Sequence, residues 1–441
     1  MNPIAAELNA ALEAANPHLL ESLSAVGRAL FFPRGILSQS AEAKEQAHRF
    51  NATIGIATEG GHAMALPSVT RQLPGFSADE ALTYAPSFGL PELRRRWRET
   101  LYEKNPSLAG HTVSLPVVTQ AITHGLSTVA DLFVDPGDVL LLPELMWGNY
   151  RLIFAVRRGA RVATYPLFAG GGFNTAGLAE ALRRAGGERG KAVVLLNFPN
   201  NPTGYTPREA EAEAIVAALV AEAERGTNLV VVADDAYFGL VYAEGCLTES
   251  IFARLAGRHP RLLPIKLDGA TKENYVWGLR VGFLTYAATV AGDPGPAHDA
   301  LERKTAGDIR GTISNASRLS QQIVLRALED PAYAAEREEK YRLMRARAEE
   351  VRRVLADPKY AAAWEAYPFN SGYFMCLRLK RVEAEPLRRH LLAHHGVGLI
   401  ALGSHDLRVA FSCLEVEQVR PLFDTVLAAE GELAAGGGVT R

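Results

Sequence analysis

The stretch "AVVLLNFPNNPTGYTPREAEAEAIVAALVAEAERGTNLVVVADDAYFGL", residues 192–240, decides the fold. It begins with the apolar run "AVVLLNF" (192–198), which is typical of a strand buried on both faces. A turn signal, "PNNPTGY" (199–205), is followed by "PREAEAEAIVAALVAEAER" (207–225), which has the apolar spacing of a helix. The second apolar run, "LVVVADD" (229–235), completes a strand–helix–strand unit and predicts a parallel sheet.

Further short apolar runs lie on both sides of this unit, separated by helical patterns such as "THGLSTVADLF". They are "LPVVT" (115–119), "VLLLP" (139–143), "RVATYPL" (161–167), "LLPIKLD" (262–268) and "RVGFLTY" (280–286). Together with the two central runs they predict an α/β fold. Its large domain has a mostly parallel seven-stranded sheet flanked by helices.

The two ends of the chain have a different pattern. Residues 1–50 have helical spacing, and "DPAYAAEREEKYRLMRARAEEVRRVLAD" predicts one long charged helix after residue 320. Two strand patterns follow, "SGYFMCLRL" and "DLRVAFSCL". We predict a smaller α+β domain built from both chain ends. The predicted divisions are 1–60 (arm and part of the small domain), 61–320 (large domain), 321–430 (small domain) and 431–441 (disordered tail).

Composition excludes several classes of protein. With 441 residues, 48% of them hydrophobic and 22% charged, the chain is an ordinary globular protein of two or three domains. A formal net charge of −2 favours neither nucleic acid nor an anionic membrane. Glu7 and Glu13 lie where a signal peptide would be basic, and no apolar run reaches the roughly 18 residues of a membrane span. We therefore expect a cytoplasmic protein.

The cysteines and histidines predict no metal site. The three cysteines are scattered and form no CxxC motif, which excludes a disulfide framework and a cysteine-based zinc site. His62, His124 and the pair His394 and His395 have no acid or cysteine at metal-site spacing, so we expect capping or surface roles for them.

Polar groups follow several predicted strands, where ligands gather in α/β folds. The sequence NPTG at 201–204 ends one strand, although alone it signals only a turn. Asp234 and Asp235 end the next, and a buried strand rarely ends on paired carboxylates without a partner cation. Lys272 and Arg280 lie in "LDGATKENYVWGLRVGF" (267–283), where a solvated loop would also explain them.

Taken in chain order, these motifs resemble a known family. NPTG, then Asp234 and Tyr237 as D-x-x-Y, then Lys272 and Arg280 as K-x(7)-R, are similar to the fold-type I pyridoxal-phosphate-dependent aminotransferases of class I/II. The segments "YAPSFGLPELRRRW" (84–97), "WGNYRLIF" (147–154), "DIRGTISNASRL" (308–319) and "DLRVAFSCL" resemble the aspartate and aromatic aminotransferase branch. The resemblance covers about residues 50–425.

The resemblance implies pyridoxal 5′-phosphate as cofactor and gives several residues a role. Lys272 would be the Schiff-base lysine and the proton carrier, acting as general base and acid. Asp234 would keep the ring nitrogen protonated, and Asn201 and Tyr237 would hydrogen-bond the ring oxygen. Trp147 would stack on the ring. The catalytic residues are therefore expected to be Lys272, Asp234 and Tyr237.

The cofactor phosphate would be held at the opposite end of this site. Arg280 supplies a planar fork of donors, and Ile122 and Thr123 lie at the start of a helix whose amides suit an anion. Tyr84 would reach the phosphate from a partner subunit, which implies a homodimer with shared active sites. Many relatives carry a serine ligand at the position of Gly269, and Thr271 is the candidate substitute.

For the substrate, the resemblance places Arg408 at the α-carboxylate position and Arg310, from the partner subunit, at the side-chain carboxylate. Asn201, Trp147, Gly55 and Ile56 complete the implied substrate contacts, the last two on a loosely matched segment. The branch also has a histidine that supports the ring-nitrogen aspartate; here that position is Tyr150, whose hydroxyl could serve.

The function implied is ping-pong transfer of an amino group from an L-amino acid, aspartate or glutamate, to a 2-oxo acid. An aromatic or alanine-type aminotransferase is the first alternative. A pyridoxal-phosphate lyase or decarboxylase on the same fold is the second, because its Asp, Lys and Tyr would look the same. A cofactor-binding gene regulator is disfavoured, since the first fifty residues have no helix-turn-helix pattern.

Overall fold

The computed structural model describes residues 2–3, 6–7, 9–10, 36–53, 55–72 and 75–436. Its strands begin with β1 (Phe50–Asn51), β2 (Thr58–Glu59), β3 (His62–Ala63), β4 (Val117–Gln120), β5 (Val139–Pro143), β6 (Arg161–Tyr165), β7 (Phe168–Ala169) and β8 (Gly172–Phe173). They continue with β9 (Lys191–Asn197), β10 (Asn228–Asp234), β11 (Leu262–Gly269), β12 (Val281–Tyr286), β13 (Trp364–Ala366), β14 (Phe374–Leu379), β15 (Val397–Gly398), β16 (Ile400–Leu402) and β17 (Asp406–Ala410).

Helices alternate with these strands. The first are α1 (Ile36–Gln46), α2 (Pro67–Thr70), α3 (Ala78–Leu82), α4 (Pro91–Lys104), α5 (Ala121–Phe133), α6 (Thr175–Arg189), α7 (Glu209–Glu224) and α8 (Ile251–Leu255). The others are α9 (Ala270–Glu273), α10 (Gly295–Thr312), α11 (Arg318–Glu329), α12 (Tyr333–Leu355), α13 (Ala384–His395) and α14 (Val416–Gly436). A π-helical segment, Arg151–Val156, follows β5.

Seven strands form the central sheet, in the order β4-β12-β11-β10-β9-β5-β6. Among the described strands of this sheet, β12 alone runs antiparallel to its neighbours. Each of the seven apolar runs in the sequence forms one of these strands, so the predicted mostly parallel seven-stranded sheet is confirmed. The runs are apolar on both faces because helices cover both sides of the sheet, and β9 and β10 are buried beyond their first residue.

The register of the central strands brings their carboxyl ends level. Asp234, the last residue of β10, pairs with Asn197 at the end of β9 and with Leu267 near the end of β11. Lys272 follows three residues after the end of β11 in the short helix α9. The polar groups that end successive strands therefore meet at one edge of the sheet.

A second, antiparallel sheet has the order β13-β14-β17-β16. Strand β1 pairs in parallel with β15, with Phe50 opposite Val397, so the segment before residue 52 joins the C-terminal part of the chain. This pairing agrees with a small domain built from both ends. The domain boundaries themselves stay a prediction.

The prediction for the C-terminal tail is partly wrong. Helix α14 continues to Gly436, so residues 431–436 are helical rather than irregular, and residues 437–441 lie outside the described residues. At the other end, helix α1 lies within the predicted helical region 1–50, most of which is also outside the described residues. None of the helices in the described ranges is both long and apolar enough to cross a bilayer.

The turn after β9 packs directly against β14. Gly204 has a φ of +72°, and a Cβ atom there would lie 2.0 Å from the carbonyl oxygen of Phe374. The Gly204 carbonyl accepts hydrogen bonds from the backbone amides of Asn370 and Ser371, each at 2.9 Å. A glycine is needed for this close contact, which brings β14 and its neighbour β17 over the end of β9.

Candidate active site

A cavity of about 190 Å³ opens at the carboxyl ends of β9, β10 and β11. It brings together most of the residues that the resemblance implicates: Gly55, Ile122, Thr123, Trp147, Asn201, Asp234, Tyr237, Thr271, Lys272, Arg280 and Arg408. Ala121, Tyr150, Asn197, Ala236 and Phe374 complete the lining. One site therefore collects side chains from motifs that lie far apart in the sequence.

Lys272 is half-buried beside an acid and a second cation. Burial lowers its pKa to about 8; Asp234 opposes that shift and Arg280 adds to it. The Lys272 Nζ atom lies 5.2 Å from the centre of the Tyr237 ring. A primary amine in this setting is partly neutral near physiological pH, and therefore able to act as a nucleophile and to exchange a proton.

The Asp234 carboxylate is held by two hydrogen bonds. Its Oδ2 accepts from the Tyr150 hydroxyl at 2.7 Å, and its Oδ1 accepts from the Ala236 backbone amide at 3.1 Å. Burial raises the pKa of Asp234 to about 6, whereas these two hydrogen bonds and Lys272 lower it. Trp147 packs edge to face against Tyr150, with ring centres 5.5 Å apart. The tyrosine thus holds both the acid and the aromatic side chain.

The other end of the cavity is suited to an anion. Ala121, Ile122 and Thr123 form the first turn of α5, where backbone amides lack helical partners and the helix dipole is positive. Arg280 lies at the same cavity and donates to the Trp277 carbonyl at 3.2 Å. The helix terminus and a guanidinium together form a site that phosphate would satisfy.

Thr271, rather than residue 269, offers a hydroxyl to the cavity. The Thr271 Oγ1 atom is buried and has no hydrogen-bond partner among the described residues. A Cβ atom at Gly269 would lie 2.7 Å from the Val281 carbonyl oxygen, so the serine found in many relatives does not fit this backbone. The close approach of β12 therefore explains why position 269 is a glycine and not a serine.

Arg408 is buried, lines the cavity and is held by neutral groups. Its guanidinium donates to Asn201 Oδ1 and to the Thr53 carbonyl, both at 3.0 Å, and lies 4.1 Å from the centre of the Phe374 ring. Its Nε atom is buried without a partner in the described chain. Among the described residues no carboxylate forms an ion pair with this buried cation, which suits an anionic ligand.

Three of the implicated residues lie away from the cavity of their own chain. Tyr84 is 87% exposed, and Arg310 is exposed, with its Nη1 atom donating to Ser314 Oγ at 2.6 Å. Ile56 does not line the cavity; instead, its carbonyl accepts from the hydroxyl of Ser412 at 2.6 Å. The substrate contact expected from Ile56 stays a prediction.

Two further cavity residues carried no signal in the sequence. Asn197 donates to the backbone carbonyl of Asp234 at 2.9 Å and accepts from the backbone amide of Asn201 at 2.8 Å, so it ties two predicted site residues together. Phe374 stacks under Arg408. An apolar run ending in "NF" and the strand "SGYFMCLRL" look like ordinary core sequence, and only the sheet register places these two side chains at the site.

A buried charge cluster lies beside the cavity. Lys266 is fully buried, forms an ion pair with Asp235 and lies 3.5 Å from Asp268. Asp235 also accepts from the Ser250 hydroxyl at 2.5 Å, and Asp268 accepts from the Trp97 indole at 3.2 Å. The sequence predicted a partner cation for the paired carboxylates Asp234 and Asp235. Lys266 is that cation for Asp235.

Fold and cavity together define a fold-type I protein of the aminotransferase kind. The chain belongs to the family of class I and II aminotransferases, whose model matches residues 52–426.

Individual proteins with similar sequence or structure bear related names. A probable aspartate/prephenate aminotransferase from Aquifex aeolicus is 29% identical over 212 residues, which cover 47% of this chain and 50% of that protein. The cytoplasmic aspartate aminotransferase of Saccharomyces cerevisiae is 25% identical over 276 residues, covering 61% of this chain and 64% of that protein. The chain thus matches about half to two thirds of the length of these relatives.

The fold is shared over a longer range. The crystal structure of an aminotransferase from Anaerococcus prevotii superposes with a TM-score of 0.80 at 22% identity, covering 90% of this chain and 96% of that one. The predicted fold class is therefore confirmed along nearly the whole chain.

Proposed function

We propose that this protein is a pyridoxal-phosphate-dependent aminotransferase. Class I and II aminotransferases are known for this cofactor. The observation that carries the proposal is the shared cavity of Lys272, Asp234 and Arg280 with the first turn of α5. An amine, a carboxylate and an anion site at separate points of one cavity match the aldehyde, the ring nitrogen and the phosphate of this cofactor.

The donors that this chain supplies at the cavity fit the cofactor. Thr271 Oγ1 is buried and unpartnered at the cavity, so a phosphate oxygen would satisfy it. Arg280 and the α5 amides supply the remaining donors. Asp234, already oriented by Tyr150, would face the ring nitrogen, and Trp147 would cover one face of the ring.

When bound, the cofactor supplies an electron sink for the carbanion formed at the amino acid Cα. The residues of the chain do the rest. Lys272 would hold the aldehyde group; once the amino group of the substrate has displaced it, its free amine, with a pKa near 8, would move the proton at Cα. Arg408 orients the substrate by binding its α-carboxylate, and Asn201 supports Arg408 at 3.0 Å.

Aspartate or glutamate is the substrate class we propose. Arg408 serves the α-carboxylate, and Arg310 of a second copy of the chain serves the distal carboxylate. The names of the Aquifex and yeast relatives, both of which include aspartate, agree with this choice. A dicarboxylate is returned as a 2-oxo acid with both carboxylates intact, which is what two carboxylate-binding arginines would require.

A homodimer with shared active sites is part of the proposal. Tyr84 and Leu82 are 87% and 82% exposed, and Ile313, just after α10, is 38% exposed. Large apolar side chains grouped on a surface are typical of an interface rather than of a free surface.

The two segments that would cross the interface lie on one face of the chain. The Ser87 hydroxyl donates to the Ser314 carbonyl at 2.7 Å, and the Arg318 guanidinium donates to the Tyr84 carbonyl at 3.3 Å. The segment that carries Tyr84 is thereby joined to the one that follows Arg310. A second copy docking on this face would receive both side chains together.

The experiment that tests the cofactor assignment is borohydride reduction followed by peptide mapping. Purified protein should absorb visible light, and reduction should attach the cofactor to Lys272. Arg342→Gln, an exposed change on α12, is the control for protein handling. A reduced adduct on another lysine would overturn the assignment.

A further inference from the structure

Two histidines and a glutamate converge on one point at the ends of the last two long helices. His390 and His395 lie in the last part of α13, and Glu432 lies near the end of α14. One carboxylate oxygen, Oε2 of Glu432, lies 2.6 Å from His390 Nε2 and 3.0 Å from His395 Nε2. The three ligand atoms all lie within 4.8 Å of one another.

The local fold explains why these side chains meet. Gly396 has a φ of +63° and ends α13, so His395 is the last helical residue and its imidazole can turn toward the neighbouring helix. Two residues before Glu432, the buried Glu430 is bound by Arg381 through Nε at 2.8 Å. That ion pair anchors α14 against the loop before α13 and leaves Glu432 on the side of the imidazoles.

The distances are close to those of a metal centre. Zn²⁺ binds imidazole nitrogen at about 2.0–2.1 Å and carboxylate oxygen at about 2.0–2.2 Å, so ligand atoms in a tetrahedral site are about 3.3 Å apart. The two nitrogen–oxygen distances here are 2.6 and 3.0 Å. Inserting the ion requires each to lengthen by less than about 1 Å, which rotation of partly exposed side chains can supply.

The residue types are those that zinc and related ions select. Two imidazoles and one carboxylate form a three-ligand set that leaves one position for water. Neutral imidazoles and a carboxylate favour Zn²⁺ over Mg²⁺ or Ca²⁺, which prefer oxygen ligands alone. His390 and His395 are about one fifth exposed and Glu432 is half exposed, so an ion can enter from solvent.

We propose that His390, His395 and Glu432 form a binding site for Zn²⁺ that joins the ends of α13 and α14. The site is separate from the active-site cavity, which these residues do not line. The ring of His394 lies 4.5 Å from that of His390. The sequence spacing did not indicate this set, because Glu432 is 37 positions from His395.

The metal would stabilise the junction where the N-terminal segment joins the C-terminal part of the chain. Immediately after His395, the Gly396 carbonyl accepts from the backbone amides of Arg49 and Phe50 at 3.1 and 3.2 Å. Fixing the end of α13 therefore fixes the residue that holds β1. We expect the ion to raise the melting temperature and to leave the chemistry of the cavity unchanged.

Zinc competition with a chromophoric chelator, on the full chain loaded with pyridoxal phosphate, tests the proposal. Wild-type protein should take one zinc ion per chain at micromolar free zinc. The His390→Ala and Glu432→Gln variants should bind it more weakly by about tenfold or more, since even residues that only support metal ligands change affinity by about 10–100-fold. His62→Ala, an exposed histidine on β3, is the matched control and should bind as wild type does.

Melting temperature supplies a second measurement that also shows whether the variants fold. Zinc should raise the melting temperature of the wild type and of His62→Ala, and should not raise that of His390→Ala or Glu432→Gln. Equal zinc affinity in all four proteins would place the ion elsewhere and overturn the proposal. Absence of bound zinc in the wild type would overturn it as well, and would leave two imidazoles hydrogen-bonded to a carboxylate.

Discussion

The hydroxyl of Tyr150 donates a 2.7 Å hydrogen bond to Oδ2 of Asp234. Both groups are buried, and burial raises the pKa of the tyrosine well above its usual range, so it stays a donor at every working pH. The bond stabilises the ionised carboxylate and opposes the rise in the pKa of Asp234 that burial causes. Tyr150 occupies the position at which the related branch has a histidine. Its hydroxyl, instead of an imidazole, supplies the hydrogen bond to Asp234.

The Tyr150–Asp234 bond predicts a change in pH dependence. Removing the donor in Tyr150→Phe should raise the pKa of Asp234 above about 6, because the charged form loses a hydrogen bond. A hydrogen bond to a charged group is worth about 1.5–3 kcal/mol, and one pKa unit corresponds to about 1.4 kcal/mol, so a rise of roughly 1–2 units is expected. The acid limb of the pH–rate profile should move up by that amount, with activity best preserved above pH 8.

The control for this prediction is Tyr165→Phe. Tyr165 is equally buried, and its hydroxyl has no hydrogen-bond partner among the described residues. Its removal should leave the acid limb in place. Identical profiles for the two variants would mean that Tyr150 does not tune Asp234.

The pKa of Lys272 predicts how fast the protein without cofactor reacts with aldehydes. Only the neutral amine is nucleophilic, and burial lowers the pKa of Lys272 to about 8. The rate of reaction with pyridoxal, which lacks the phosphate, should therefore rise with pH and reach half its limit near pH 8. Arg280→Gln removes a nearby cation that lowers this pKa, so its midpoint should lie higher.

The exposed change Arg342→Gln should leave the midpoint near pH 8, as in the wild type. A wild-type midpoint near 10.5, the ordinary value for lysine, would show that Lys272 is solvated and not poised for the reaction.

The buried cluster of Lys266, Asp235 and Asp268 predicts a large loss of stability. Lys266→Met removes the cation and leaves two carboxylates without their partner in a dry environment. Breaking a buried pair in this way costs about 3–5 kcal/mol. Urea unfolding should show that decrease in the free energy of unfolding.

The control is Lys359→Met, which removes an ion pair to Asp424 in which both side chains are about 40% exposed. This change should lower the free energy of unfolding by about 0–1 kcal/mol. Equal costs for the two changes would contradict a buried role for Lys266.

We predict that Arg310 determines substrate choice in the proposed dimer. A desolvated pair between Arg310 and the distal carboxylate of aspartate or glutamate is lost in Arg310→Leu, at about 2–5 kcal/mol. The specificity constant kcat/KM for dicarboxylates should fall at least roughly thirtyfold, whereas that for alanine or aromatic amino acids should change little. Arg303→Leu, on the same helix and 72% exposed, is the control. Unchanged turnover of aspartate by Arg310→Leu would favour the aromatic or alanine-type alternative.

Much of the fold could be predicted because the signal is local. The runs that became β9 and β10 are apolar on both faces and punctuated by turn residues, so their pattern alone indicates parallel strands. Lys272 and Asp234 could be selected because each follows such a run at a motif spacing. Their convergence depends only on the level ends of neighbouring strands.

The rest depends on contacts between distant segments, which no local pattern encodes. Asn197 and Lys266 lie inside apolar runs, and only the strand register shows that one ties Asn201 to Asp234 and the other pairs with Asp235. Glu432 meets His390 only because α13 and α14 pack together. The hydrogen bond from the Ser412 hydroxyl, in the 3₁₀ turn at Phe411–Cys413, to the Ile56 carbonyl likewise depends on the fold and not on a local pattern.

Transfer of nitrogen between two substrates tests the central claim most directly. Protein loaded with pyridoxal phosphate would be mixed with ¹⁵N-labelled aspartate and unlabelled 2-oxoglutarate, and the products analysed by mass spectrometry. The account predicts that the wild type forms ¹⁵N-labelled glutamate together with an equal amount of oxaloacetate. Lys272→Ala should form neither product. Release of the label as free ammonium, or conversion of aspartate without labelled glutamate, would contradict the account and point to a lyase or decarboxylase on the same fold.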